Sequence, residues 1–195
     1  MAKHKIRRAD IMPMEAYATV RRQRRRAITA LKKNRRMAVG PDATFYFESY
    51  DTMWHQVHEM LHIERGGENQ IPNELEAYNP LIPNGCELIS TLMIEIDDAV
   101  RRAQVLGRLG GVEETVSVNF AGEVVAGVAE EDVDRTTADG KASSVQFIHF
   151  PFTVPQIAAF RSPGTRVSVA ILHPAYDHQA RMTEDVRRAL AEDFD

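Results

Sequence analysis

The run Glu87-Leu-Ile-Ser-Thr-Leu-Met-Ile-Glu-Ile96 constrains the fold more than any other stretch of the chain. Side chains alternate along extended backbone, so Leu88, Leu92, Ile94 and Ile96 share one face. Ile89, Thr91, Met93 and Glu95 share the other. Apolar residues on both faces need a layer on each side, which places this strand at the centre of a sheet. Glu95 then stands in apolar surroundings, where a carboxylate needs a partner; Arg7, Arg8 or Arg24 is expected to supply it.

Around that strand the pattern alternates between helix and strand without regular βαβ order. Pro13 suits a helix start, and Tyr17, Val20, Ala27, Ile28 and Leu31 recur at helical spacing to about residue 33. Arg24 interrupts this stripe and is expected to snorkel or to meet an acid, while Arg21, Arg22, Arg25 and Arg26 mark the opposite face. Short strands are expected over 37–39 and 44–47. A helix capped by Ser49 or Asp51 follows, with Met53, Val57, Met60 and Leu61 as its core stripe, stopped by Gly66-Gly67. Residues 66–86 read as loop with a short helix over 73–78. A helix over 99–109 precedes strands over 116–120 and 123–128, joined by the Ala121-Gly122 turn. An exposed acidic loop over 129–143, a strand over 145–152, a helix over 154–160, a last strand over 166–172 and a helix over 183–193 follow. This order predicts an α+β single domain spanning 1–195, with a largely antiparallel sheet of about five strands, packed helices and a basic N-terminal helix.

The net charge of −4 conceals an asymmetry. Residues 1–36 hold thirteen Lys or Arg against Asp10 and Glu15, whereas residues 37–195 hold eleven against twenty-six acids. The first 36 residues form a basic arm and helix, the rest an acidic body. Such an arm can hold nucleic acid, anionic lipid or an acidic protein surface. It can equally dock on the body of its own or a neighbouring subunit, and a homo-oligomer is one expectation. No aromatic residue interleaves the arginines, so a base-stacking platform is not indicated and nucleic acid is the weaker alternative. The single Cys86 excludes an internal disulfide and a cysteine-rich metal site within one chain. No stretch approaches the roughly 20 apolar residues of a membrane helix, and the N-terminal residues lack the apolar core of a secretory signal. A cytoplasmic, membrane-free setting is expected.

The stretch Phe45 to Glu64 carries the sharpest chemical motif. His58-Glu59-Met60-Leu61-His62 has the H-E-x-x-H form, in which two histidines one helical turn apart hold zinc and the glutamate activates water. His58 and His62 are therefore candidate ligands for zinc or another divalent metal, and Glu59 the candidate catalytic base. Glu87, His149, His173 and His178 are open choices for a third ligand. The competing reading is a polar helix face that carries histidines at i, i+3 and i+7 from His55.

The stretches Phe45–Glu64, Glu74–Pro83, Glu87–Asp97, Leu109–Glu113 and His173–Tyr176 together resemble the bacterial domain-of-unknown-function family 3501. The resemblance spans about residues 10 to 195. Phe47, Glu48, Gln56, Glu59 and Met60 fit the family pattern, while His62 stands where an arginine is usual. The resemblance implies a polar set of Glu48, Gln56, Glu59, Asn79 and Glu95. It also implies a redox or oxidative-stress setting, through genes for rubrerythrin-like and iron–sulfur proteins that accompany the family. The resulting expectation is an accessory or binding protein in a redox-associated system. The alternative is a zinc-dependent hydrolase built on His58, Glu59 and His62.

Overall fold

A computed structural model describes residues 3–130 and 140–195. After an extended arm come α1 (Met14–Lys32), β1 (Arg36–Val39), β2 (Ala43–Phe47), α2 (Tyr50–Glu64) and α3 (Ile71–Tyr78). β3 (Glu87–Ile94) and α4 (Ala99–Leu106) lead to β4 (Val116–Phe120), β5 (Glu123–Ala126) and β6 (Val128–Ala129). Then follow β7 (Val145–Pro151), α5 (Val154–Arg161), β8 (Val167–His173), β9 (Tyr176–Arg181) and α6 (Glu184–Ala191).

Local chemistry sets several of these boundaries. Ser49, not Asp51, caps α2: its hydroxyl accepts the Thr52 N–H, and the Thr52 hydroxyl accepts the Ser49 N–H at 2.8 Å. Arg65 ends α2 in the left-handed region (φ 58°), ahead of Gly66. Asp98, Thr153 and Thr183 cap α4, α5 and α6 in the same manner.

The strands form two antiparallel sheets. The first has the order β1-β2-β3-β7-β6 and the second β5-β4-β8-β9. The expected five-stranded sheet is present, and a four-stranded sheet faces it. Phe45, Phe47, Leu88, Leu92, Ile148 and Phe150 of the first sheet meet Val118, Val169 and Ile171 of the second in one apolar core. The other face of the first sheet packs, through Ile89, under Met53, Val57 and Leu61 of α2 and Ile6 and Ile11 of the arm. This two-sided cover is why β3 is apolar on both faces.

The sheets join along both edges. Between β5 and β6 the chain passes from one sheet to the other at Gly127, where a Cβ would lie 2.5 Å from Val116 Cγ2 and 2.6 Å from Ile148 Cγ2. At the opposite edge the buried Tyr176 hydroxyl accepts the N–H groups of Asp42 and Ala43 and donates to the Val39 carbonyl. That one side chain pins β9 to the β1–β2 turn.

Three expectations need correction. Glu95 is exposed and accepts from the Tyr46 hydroxyl at 3.1 Å; β3 has ended at Ile94, so no arginine is recruited. The strand over 166–172 is not the last, because β9 follows it. β9 escaped notice because its middle residues are polar and exposed, as befits an outer strand. The acidic segment is not exposed throughout: Ala142 is buried in the main core, held by its N–H to the Leu106 carbonyl. Residues 131–139 of that expected loop lie outside the described residues. The expected loop over 66–86 is present around α3, with Leu81 and Ile82 buried in the cluster under α2. Among the described residues no helix is long and apolar enough to cross a membrane.

Candidate functional site

Only Tyr17 of α1 is fully buried, and it enters the surface of α2 together with Arg21 one turn later. Arg21 Nε and Nη2 donate to the two Glu59 oxygens at 2.8 and 2.7 Å. The Tyr17 hydroxyl donates to Glu59 Oε1 at 2.8 Å and lies 3.3 Å from His55 Nδ1. The Arg21 hydrogen bonds, with help from Tyr17, hold the Glu59 carboxyl at about 2 despite its partial burial. Burial, then the bond to Glu59, pushes the Tyr17 phenol up. His55 is pushed down by burial and by the nearby charges of Lys32, Arg25 and Arg21, against the pull of Glu59.

His58 belongs to a second, adjoining arrangement. Its ring is fully buried, 3.7 Å from the Trp54 ring between centroids. Nε2 accepts the Met12 N–H at 3.0 Å, which leaves Nδ1 to carry the proton and donate to the Trp54 carbonyl at 2.7 Å. Burial lowers its pKa, in keeping with a neutral ring. Trp54 Nε1 donates to the Asp10 carbonyl at 2.9 Å. Asn79 grips the Ile6 backbone from both sides, accepting its N–H at 2.8 Å and donating to its carbonyl at 3.1 Å. The arm is thus fastened to the helical layer at Ile6, Asp10 and Met12.

The residues singled out from sequence do not converge on one site. His62 lies edge-on to Tyr17, 6.1 Å between ring centroids. Gln56 points to α3, with Nε2 3.5 Å from the Tyr78 hydroxyl. Glu48 is buried below the start of α2, accepting hydroxyl hydrogen bonds from Thr52 at 2.6 Å and Thr91 at 2.7 Å. Glu95 stands apart, beside Tyr46. Of the proposed third ligands, His149 is bonded to Glu87 at 3.0 Å on the first sheet and His173 lies 3.2 Å from the Gly110 carbonyl.

This chemistry does not fit a hydrolytic zinc centre. Both His58 nitrogens are engaged with backbone groups, so Nε2 has no lone pair left for a metal. Glu59 is clamped by a guanidinium and a phenol and is too weak a base to activate water. Among the described residues no three His, Cys, Asp or Glu side chains gather as a metal-ligand set.

Sequence reading overlooked two central partners. It placed Arg21 on the solvent face, although Tyr17 and Arg21 are at i and i+4 and so share a face. That spacing was the available signal. Arg24 is not paired with an acid; its guanidinium lies over the Trp54 ring at 4.9 Å from the centroid. Between the helices runs a groove of about 150 Å³ lined by Arg24, Ala27, Ile28 and Leu31 of α1 and Asp51, Trp54 and His55 of α2.

These features define an α+β protein of two facing antiparallel sheets, with a helical layer sealed by its own N-terminal arm. The chain belongs to the family described as "Protein of unknown function (DUF3501)", whose model matches residues 5–194. Among solved structures it is similar to a "novel protein of unknown function" from Burkholderia pseudomallei K96243, with 37% identity and a TM-score of 0.90. The match covers 98% of this chain and 100% of that one. No curated protein matches.

Proposed function

We propose that this chain is a binding protein that serves a partner rather than a catalyst. The observation that carries the reading is how the polar side chains of the helical layer are used. Glu48, Glu59, His58 and Asn79 are engaged with neighbouring groups of the chain itself, which leaves none of them poised as acid, base or nucleophile. In contrast, the basic segment is only partly spent within the chain. Arg8 pairs with Glu68, Arg21 with Glu59 and Arg35 with Asp193, while among the described residues Arg22, Arg25 and Arg26 form no ion pair.

The family resemblance supports a partner of the rubrerythrin-like or iron–sulfur kind in a redox-associated system. Affinity capture with cross-linking from the native host tests this. Recovery of one such redox protein is the expected result; recovery of only further copies of the chain removes the reading. Metal analysis of tag-free protein tests the hydrolase alternative, which requires close to one zinc per chain.

A further inference from the structure

We infer that His149 is a proton-operated clasp on the edge of the first sheet. Carrying both ring protons, it ties Glu87 of β3 to Glu130, the residue after β6; losing one, it lets β6 part from β7. This is a regulatory device of the fold and stands apart from the binding-protein reading.

The strand register builds the clasp. β7 pairs with β3 on one side and with β6 on the other. Opposite His149 stand Ile89 of β3 and Val128 of β6. Side chains two residues apart on a strand share a face. Glu87, two before Ile89, and Glu130, two after Val128, are therefore diagonal neighbours of His149 on its own face, within reach of long side chains. The ring meets both. Nδ1 lies 3.0 Å from Glu87 Oε2, and Nε2 lies 3.7 Å from Glu130 Oε1.

A ring with a carboxylate at each nitrogen needs two protons. A neutral imidazole has one N–H; it can serve one acid and turns a lone pair towards the other. An imidazolium has two N–H groups and a charge that attracts both acids. The three side chains are only 14 to 24% exposed, so solvent screens them little. Ile89 and Phe147, on the same face, belong to the apolar cluster under α2 and bring no charge. The charged groups that act on the ring are Glu87, whose hydrogen bond is the larger influence, and Glu130. Together they hold the His149 pKa above its ordinary value, against the effect of burial.

The apolar hold on β6 is small. The strand is two residues long, with Val128 52% exposed and Ala129 partly buried. Gly127 is anchored separately, its N–H donating to the Val116 carbonyl at 2.9 Å. Opening is thus confined to the residues after Gly127, and it bares the β7 backbone at Ile148 and His149. The direction follows from linkage. A folded pKa above the unfolded one gives stabilisation that is complete below about pH 6.5 and lost as pH rises through the folded value. The clasp closes in mild acid and opens towards alkaline pH.

Hydrogen exchange on the full chain, corrected for the intrinsic pH dependence of amide exchange, tests this together with an NMR titration of His149. From pH 6 to pH 9, protection over β6 is expected to fall about fivefold, the scale of a charge-assisted contact, while β4 and β8 stay protected. His149 should titrate above about 6.5 in the wild type and lower in Glu130→Gln. That variant cuts the tie to β6 and leaves the Glu87 contact, so its β6 should exchange fast at both pH values. His149→Gln should do the same; if it does not fold, Glu130→Gln decides alone. Protection over β6 that ignores pH overturns the inference. So does a pH dependence that survives in Glu130→Gln, a His149 titration at or below the ordinary value, or a loss of protection spread evenly over both sheets.

Discussion

The two apolar clusters flanking the first sheet are built on different principles. Between the sheets, phenylalanines and branched aliphatic residues interdigitate, with the ring centroids of Phe45, Phe47 and Phe150 6.4 to 6.5 Å apart. Under α2 the cluster is smaller; the arm adds Ile6 and Ile11 to it, and the arm and α1 are also held by polar point contacts: Asn79 to Ile6, Trp54 to Asp10, His58 to Met12, Arg21 and Tyr17 to Glu59. Apolar packing is distributed and insensitive to pH. Point contacts are specific, and several of them titrate. The helical layer should therefore open before the paired sheets do.

The strongest test of that contrast is Phe150→Ala. Truncating a fully buried phenylalanine should lower the unfolding free energy by about 3–5 kcal/mol, read from a urea midpoint, with all probes moving together. A smaller effect, confined to the helices, would mean the two clusters are not independent. His58→Ala should remove about 2–3 kcal/mol, because the part-buried Met12 N–H loses its acceptor and the Trp54 ring its neighbour. Its signature is local: hydrogen exchange should quicken over residues 6–12 while β3 and β7 stay protected.

Acid should act along the same line. The folded pKa of His58 lies below the ordinary histidine value, so the unfolded chain binds the extra proton first and stability rises with pH. The contribution is complete above about pH 6.5 and is lost as pH falls towards the folded value. Trp54, the only tryptophan, touches the His58 ring and should report the change in its fluorescence. Glu59 adds a lower window. Its stabilisation is present above its ordinary value of 4.5 and disappears as pH falls towards about 2. A flat tryptophan signal from pH 7 to 4 would show that the arm does not depend on the neutral His58 ring.

Tyr17→Phe removes one hydrogen bond from a carboxylate that keeps Arg21, and should lower stability by about 1 kcal/mol in the same urea titration. Glu95→Gln should change it by less than about 0.5 kcal/mol, since the side chain is exposed beyond the end of β3. A larger loss at Glu95 would restore the buried role that the strand pattern suggested.

Much of the fold was legible because its strongest signals are local. β3 declared itself central by apolar residues on both faces, and Ser49 marked a helix start. β9 did not, since an outer strand with polar middle residues has no distinctive pattern. The candidate site was less legible. His58, Glu59 and His62 stood out by spacing, but spacing records only that two side chains lie one turn apart. What each nitrogen and oxygen meets depends on an arm about 46 residues upstream of His58 and on a helix 38 residues before Glu59.

The sequence by itself determined the α+β class, the central strand, the charge division between residues 1–36 and the rest, and the family resemblance. These follow from periodicity, composition and motif, which are properties of neighbouring residues. Only the tertiary structure decided that a second sheet closes against the first and that Glu95 faces water. It alone decided that the H-E-x-x-H helix is a fastening point for the arm and for α1. The physical reason is that a histidine lone pair or a carboxylate can serve a metal, an arginine or a backbone N–H equally well. Which of these it serves is set by what the fold brings within 3 Å of it, here the Met12 N–H at 3.0 Å and the Arg21 guanidinium at 2.7 Å.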